Sequence, residues 1–455
     1  METVDRTPYS KQITSGPIVR TVFSLAVPVV AGMLMEFALT VTDFFWVGRL
    51  GATAQDAITS SMVVQWTVFG FLSIISIGLT ALVSRSVGAG DYDRVRFYIR
   101  QGLWLAVVLG LVITAVGFAA TPPLLRMMKT SDNTLVHAIP YLRIFFLTTV
   151  LFALVETHYA IFRSSGDTRT PMKVAVVAIV VNMVLDPLLI LGIGPFPELG
   201  VAGAAIATFV AVGVAVAVIG SQMLRGRLGY RVSAPFPRRP DFAALGRIMR
   251  IGAPISTQQV TFVVVYWFLI AIVHEFGEEA GAAMGIGNRM ESFSYLTCFG
   301  FSVAASAMVG QNLGAGRPDR AARSAWMATG LAIALTLSIS VLFLTIPYQI
   351  VSIFSDNEQV RLMAADYLFI LGLSQFTMAL EIVLEGAFAG AGDTVPPMVV
   401  MIPGAVARIP LAYYLAFTLD WGVNGVWWTL TITTSVKSLV LAYWFTRGKW
   451  KTKAV

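Results

Sequence analysis

Long apolar runs return twelve times along the 455-residue chain, near 18–46, 56–82, 98–121, 136–162, 171–193, 200–224, 245–273, 280–308, 322–346, 359–389, 395–417 and 423–446. Each is at least as long as the roughly 20 residues that a helix rising 1.5 Å per residue needs to cross about 30 Å of hydrocarbon. Hydrocarbon offers no water to backbone N–H and C=O groups, so only helices or a closed barrel can cross it. The runs are continuous and rich in Leu, Ala, Val and Gly, without the short alternating segments of a barrel. With 56% hydrophobic and 13% charged residues, the chain reads as an all-α integral membrane protein with 12 transmembrane helices and no large soluble domain. The first run contains Glu36 and Asp43 and is too long for the apolar core of a secretory signal, so it is read as a retained helix.

The formal net charge of +7 has a topological reading. One set of loops and termini collects nearly all the basic residues, from Arg6, Lys11 and Arg20 through the arginines at 85–100 and 225–250 to Lys451 and Lys453. The alternate loops and adjoining helix ends hold only Arg49, Arg126, Lys129, Arg143, Arg289 and Arg361. The positive-inside rule then places both termini in the cytoplasm of a multi-pass inner-membrane protein, and the basicity implies no nucleic-acid partner. Cys298 stands alone, so no intrachain disulfide is available.

The chain also says the same thing twice. Gly166-Asp167-Thr168 returns as Gly392-Asp393-Thr394, 226 residues later, and the same shift carries Pro28 onto Pro254, "VGAGDYDR" at 87–94 onto "LGAGRPDR" at 313–320, and "YLRI" at 141–144 onto "YLFI" at 367–370. After a four-residue slip, "GVAGAAIAT" at 200–208 answers "GVNGVWWTL" at 422–430. Six helices per copy is an even number, so the copies enter the membrane from the same side, as two six-helix lobes related by a parallel pseudo-two-fold repeat. The expected division is 1–224 and 251–455, joined by a cytoplasmic linker at 225–250. In the doubled loops a glycine in the left-handed region ends one helix, Asp167 or Thr168 caps the next, and Pro171 or Pro397 suits its first turn. Two such lobes can enclose a cavity that faces either side by rocking, the arrangement of a secondary transporter.

Ionisable residues inside the hydrocarbon are costly, so they mark candidate sites. Glu36 and Asp43 share one stripe of helix 1, while Asn182 and Asp186 share a face of helix 5 beside Pro187. Asp43, Asp186 and Thr208 of helix 6 fall in the same half of the bilayer. Two carboxylates, an amide and a hydroxyl can hold a proton between the acids, or offer hard oxygen ligands to Na⁺. Either way the set binds and exchanges a cation. Glu36 fits a cavity wall or an interhelical hydrogen bond equally. Glu156, Glu381 and Glu385 near the inner ends of helices 4 and 10 read as solvated helix ends or as an inner gate. Glu291 reads as the local partner of Arg289, and Arg408 and Lys437 as snorkelling or paired across helices 11 and 12.

These segments resemble a known family. The sequences "FFWVGRLG" after Asp43, "SVGAGDYDRVR", "FRSSGDTRTPMK", "VNMVLDPLLILG" and "GVAGAAIAT", in that order and on a doubled six-helix frame, look like the multidrug and toxic compound extrusion (MATE) transporters, most of all the prokaryotic DinF-like branch. The resemblance implies a multidrug antiporter working by alternating access, in which H⁺ or Na⁺ enters as a small organic cation leaves, and a monomer without a cofactor. It implies a coupling-cation site at Asp43, Asn182, Asp186 and Thr208, which is a metal site only if the ion is Na⁺, with Glu36, Glu156, Glu381 and Glu385 as cavity or gate residues. The NorM-like branch uses an acid in helix 7, and "TQQVTFVVVYWFLIAIV" has none, so no ion site of that kind is expected in the second lobe.

Other classes have little to stand on. A flippase for lipid-linked oligosaccharide shares the superfamily architecture but calls for a cationic cavity, and only Arg408 and Lys437 answer that description. An enzyme lacks its motifs: HExxH, GxSxG and a His/Cys cluster are all absent, and His137, His158 and His274 are far apart. No phosphate-cradling GxxxxGK[ST] loop is present for a pump driven by ATP.

Overall fold

The computed structural model describes residues 7–128 and 130–455; Arg6 and Lys129, used in the charge distribution above, lie outside the described residues. A short helix α1 (Pro8–Ser15) precedes six long ones: α2 (Ile18–Gly48), α3 (Ala52–Ala89), α4 (Tyr92–Met127), α5 (Asp132–Ser165), α6 (Arg169–Ile190) and α7 (Val201–Leu224). The second half holds α8 (Phe242–His274), α9 (Glu278–Gly314), α10 (Pro318–Thr345), the short α11 (Pro347–Ser352), α12 (Glu358–Gly372), α13 (Gln375–Ala391), α14 (Val395–Val406), α15 (Arg408–Tyr413), a π-helical turn at Tyr414–Thr418 and α16 (Val423–Thr446). No strand occurs among the described residues.

Among the described residues ten helical stretches are long and apolar enough to cross a membrane, and the bent pair α12 and α13 makes an eleventh. The twelfth crossing is α16, whose 24 residues have the length, while buried Thr429, Thr431, Thr433 and Lys437 make it more polar than the rest. The start of α8 at Phe242 puts its first turns inside the 225–250 segment, where Ala244, Leu245 and Ile248 join the core of the first half.

Two expected continuous helices are interrupted. The run 359–389 bends by 57° between α12 and α13. The carbonyls freed at the bend are captured by side chains: Thr431 Oγ1 donates to Ile370 O at 3.0 Å, Gln375 Nε2 to Leu371 O at 3.2 Å, and Ser340 Oγ to Gly372 O. Such capture is what lets a broken helix persist in hydrocarbon. The run 395–417 breaks at Ala407, because the ring of Pro410 can neither donate to nor fit against the carbonyl of Val406. By contrast α6 runs through Pro187 to Ile190 without a break.

The doubled loops fold alike but bond differently. Gly166 and Gly392 both take left-handed angles, with φ of 96° and 75°, where only glycine is unstrained. Asp167 then caps α6: Oδ1 accepts from the Arg169 and Thr170 amides at 3.1 and 3.0 Å, and Oδ2 accepts from the Thr170 hydroxyl at 2.6 Å. Asp393 instead faces Lys453, 3.2 Å away.

The halves interlock by exchanging helices: α8 lies along α3, and α2 lies along α9. The helices α3 and α9 cross each other so closely that a Cβ on Gly88 would stand 2.0 Å from Gln311 O, and one on Gly314 1.9 Å from Arg85 O. Gly88 and Gly314 are repeat-equivalent, as are Arg85 and Gln311. Arg85 donates to Ala391 O at 2.9 Å and Lys453 O at 2.7 Å, and Gln311 Nε2 donates to Ser164 O at 2.7 Å. Arg317 reaches Thr14 O at 2.6 Å, and Arg320 bonds Ile13 O and Gly16 O. Tyr9 of α1 hydrogen-bonds Asp167; burial first, and that carboxylate second, hold the phenol above its ordinary pKa, so it stays a donor. These contacts lie at the face that carries the chain ends, here called the terminal face. Among the described residues no hydrogen bond joins the halves farther from it than Ser256 Oγ to Gly70 O, at 2.6 Å.

Candidate functional site

The first half brings together the set expected from sequence. Asp43 comes from the far end of α2, Asn182 and Asp186 from α6, and Thr208 from α7. The four-residue spacing on α6 places Asn182 Nδ2 2.9 Å from Asp186 Oδ1, where it donates. Both residues are buried, at 2% and 0% exposure, so their polar atoms have little water to turn to. The Asp43 and Asp186 carboxyl groups come within hydrogen-bonding reach of each other. Asp43 Oδ1 and Asp186 Oδ2 are buried acceptors without a donor. Two such oxygens facing each other repel as a dianion and bond as a pair holding one proton.

Beside this pair lies a cavity of about 150 Å³. Thr40, Asp43, Gln65, Tyr141, Thr148 and Thr208 give it a polar wall, and Met62, Phe145 and Phe152 an apolar one. Thr208 spends its hydroxyl proton on Ala204 O at 3.0 Å, which leaves oxygen lone pairs toward the cavity. Asp186 does not line this space; it sits behind Asp43. Gln65 and Tyr141, bonded to each other at 3.2 Å, were not expected. The available signal was a lone Gln inside the apolar run "MVVQWTVFG" and the doubled "YL" of 141–142 and 367–368. No group of three or more His, Cys, Asp or Glu residues able to hold a metal occurs among the described residues. A Na⁺ ion here would therefore depend on amide and hydroxyl oxygens beside the two carboxylates.

Glu36 and Glu156 come into each other's field, with Arg163, near a very small cavity walled by Glu36, Tyr159, Arg163 and Met172 between α2, α5 and α6. Glu156 lies nine residues before the end of α5, about 13 Å along the axis, which is too deep for a solvated helix end.

The second-half acids also depart from expectation. Glu381 is no solvated end: Lys437 Nζ stands 2.8 Å from its Oε1, with the side chains 15% and 5% exposed. Glu385 Oε2 accepts from Gln258 Nε2 at 3.0 Å. Glu291 accepts from Tyr367 at 3.2 Å rather than from Arg289, and Tyr367 also donates to Asn288 at 2.7 Å. Arg408 does reach the twelfth crossing, α16, but meets hydroxyls there: Nε and one terminal nitrogen donate to Thr433 and Thr434, each at 2.9 Å. Lys437 pairs with α13 rather than with α14 or α15.

The MatE family model matches residues 28–188 and again residues 254–414. Both ends of the second match lie 226 residues after those of the first, the offset read from the doubled motifs. Among curated proteins, the chain is 27% identical to a probable multidrug resistance protein NorM of Thermotoga maritima over 96% of this chain and 94% of that one. It is 26% identical to an FAD transporter of Shewanella oneidensis over 95% of each chain. Among solved structures, an outward-facing multidrug resistance MATE family transporter of the MOP superfamily superposes with a TM-score of 0.90 at 21% identity, covering 99% of this chain and 100% of that one. A MOP superfamily transporter from Pyrococcus furiosus, described as having a binding pocket of reverse polarity, superposes with a TM-score of 0.91 at 21% identity and the same coverage.

Proposed function

The chain belongs to the MatE family, and on that premise we propose that this membrane transporter exports small organic cations in exchange for H⁺ or Na⁺. The coupling cation binds at Asp43 and Asp186, with Asn182 orienting Asp186 and Thr208 contributing an oxygen. The observation that carries this reading is the pair of donorless buried oxygens, Asp43 Oδ1 and Asp186 Oδ2, on carboxyl groups within reach of each other. A proton or cation is what such a pair lacks.

The rest follows from alternating access. Seam hydrogen bonds that run from the terminal face only as far as the middle of α3 support a state open toward the other side, and the excess of arginine and lysine at the terminal face supports its being cytoplasmic, in the inner membrane. Loading the acidic pair from outside removes its charge, frees the substrate and lets α2 and α6 repack, so the halves can rock. Each tenfold cation ratio supplies about 1.4 kcal/mol, enough for about tenfold accumulation of substrate per cation exchanged. The cavity lies within one chain, so the working unit is taken as a monomer.

The test is efflux of a fluorescent organic cation from proteoliposomes under an imposed H⁺ or Na⁺ gradient, for wild type, Asp43→Asn and Asp186→Asn. One gradient should drive the wild type, and neither variant should respond while both remain folded. Coupling that survives in both variants removes the site. A wild type that moves no cation under either gradient, but carries FAD or a lipid headgroup, removes the substrate class and turns the reading toward flippase-like transport.

A further inference from the structure

The repeat sets three residues of the coupling site against counterparts 226 positions later, and Thr208, after the four-residue slip, against Leu430. Asp43 answers to Leu269, Asp186 to Ala412, and Asn182 to Arg408. Both carboxylates have become hydrocarbon, and the amide between them has become a guanidinium. Arg408 reaches across to the second-half counterparts of α2 and α7, over the Phe262 ring of α8 at 5.8 Å and against Thr433 and Thr434 of α16, where Asn182 bonds Asp186 on its own helix.

Arg408 is 5% exposed, and among the described residues no carboxylate lies within ion-pair distance of it. A buried guanidinium without a contact counter-ion is costly unless the surrounding field favours it. Burial is the largest influence on Arg408 and works against its charge; Glu381 and Glu291, on α13 and α9, offset part of that cost, and the Thr433 and Thr434 hydroxyls bond the guanidinium directly. The remaining charged groups of the cluster are Lys437, in contact with Glu381, and Glu385, bonded to Gln258. The second half thus holds its own acids under two cations that belong to the chain.

We propose that Arg408 is a resident cation: it fills, in the second half, the electrostatic role that the exchanged cation fills in the first. The inference rests on the proposed cation site at Asp43 and Asp186. A guanidinium keeps its proton at any working pH, whereas a carboxylate pair gains and loses one. The second half is therefore permanently loaded, and cation exchange is confined to the first. Arg408 acts as a positioning residue, since it touches neither coupling ion nor substrate.

The experiment measures transport against coupling-cation concentration in proteoliposomes for wild type, Arg408→Lys, Arg408→Gln and Arg408→Ala, the last with and without added guanidinium. Wild type and Arg408→Lys should show one-cation dependence. Arg408→Gln should need more cation, with a Hill coefficient rising from about 1 toward about 2 as the uncompensated acids take up a second ion, and guanidinium should restore Arg408→Ala toward wild type. Arg408→Lys that is folded but uncoupled overturns the proposal, as does Arg408→Gln with wild-type cation dependence and Arg408→Ala blind to guanidinium. Selective loss of FAD transport with intact cation coupling also overturns it, in favour of an anion subsite. Should Arg408→Gln fail to fold, the Lys variant and the guanidinium response still decide. Failure of the first-half site shows separately, as coupling that persists in Asp43→Asn and Asp186→Asn.

Discussion

The two halves share a backbone plan and differ in how their interiors hold charge. In the first, two carboxyl groups meet, each with an unsatisfied oxygen; in the second, Glu381, Glu385 and Glu291 each have a lysine, amide or phenol against them, and Oε2 of Glu381 alone of their oxygens is buried without a donor. A duplicated fold can thus set the acids of one copy against each other, for a ligand to complete, and partner most of the other copy's acids from within. What separates the copies is a handful of side chains at matched positions, together with the bend between α12 and α13 and the break at Ala407, which α5 and α6 lack.

The largest test of this contrast is neutralisation of the facing acids. Asp43→Asn or Asp186→Asn should reduce gradient-driven accumulation from about tenfold per tenfold cation ratio to none, read as efflux under an imposed gradient, while Glu385→Gln should leave the gradient response within about twofold of wild type. Next comes the cost of removing a partner in the other copy. Lys437→Met strands Glu381 and should destabilise the protein by about 3–5 kcal/mol, and the double change with Glu381→Gln should recover most of it, measured by thermal unfolding in detergent.

A third test asks where the copies remain alike. Gly88→Ala and Gly314→Ala each push a methyl group against the facing carbonyl across the α3–α9 crossing. Both should loosen the terminal-face seam to a similar degree, seen as faster labelling of cysteines placed along it; a large difference between them would break the symmetry there. The smallest effects separate the doubled loops. Asp167→Ala removes a helix cap worth about 1 kcal/mol, whereas Asp393→Ala loses an ion pair with a half-exposed lysine, worth under about 1 kcal/mol.

Much of this was legible from the chain alone, for physical reasons. Hydrocarbon admits few ways to satisfy a backbone, so apolar length alone located all twelve crossings. That Asp43, Asn182, Asp186 and Thr208 come together was legible because each is a polar residue deep in an apolar run, and turn counting put three of them at one depth. Interruptions were harder to read. The bend between α12 and α13 depends on Thr431 and Ser340 arriving from other helices, which no local window contains. Pairing of second-half charges failed for the same reason: Glu291 sits two residues from Arg289 in sequence, yet it bonds Tyr367 on α12. Gln65 and Tyr141 looked ordinary until three helices closed around them.

The terminal-face seam has one further consequence. Among the donors that bridge it, Arg85, Gln311, Arg317 and Arg320 bond backbone carbonyls, and Arg317 a serine hydroxyl as well, rather than acids of the opposite half. A carbonyl does not titrate, and a bond to one is screened far less than a surface ion pair. On the proposed mechanism, then, one end of the molecule is a sensor and the other an insulator: changes in acidity or salt on the terminal side should pass without unlatching the door, and the order to open should come from the carboxylates at the far end of the first half.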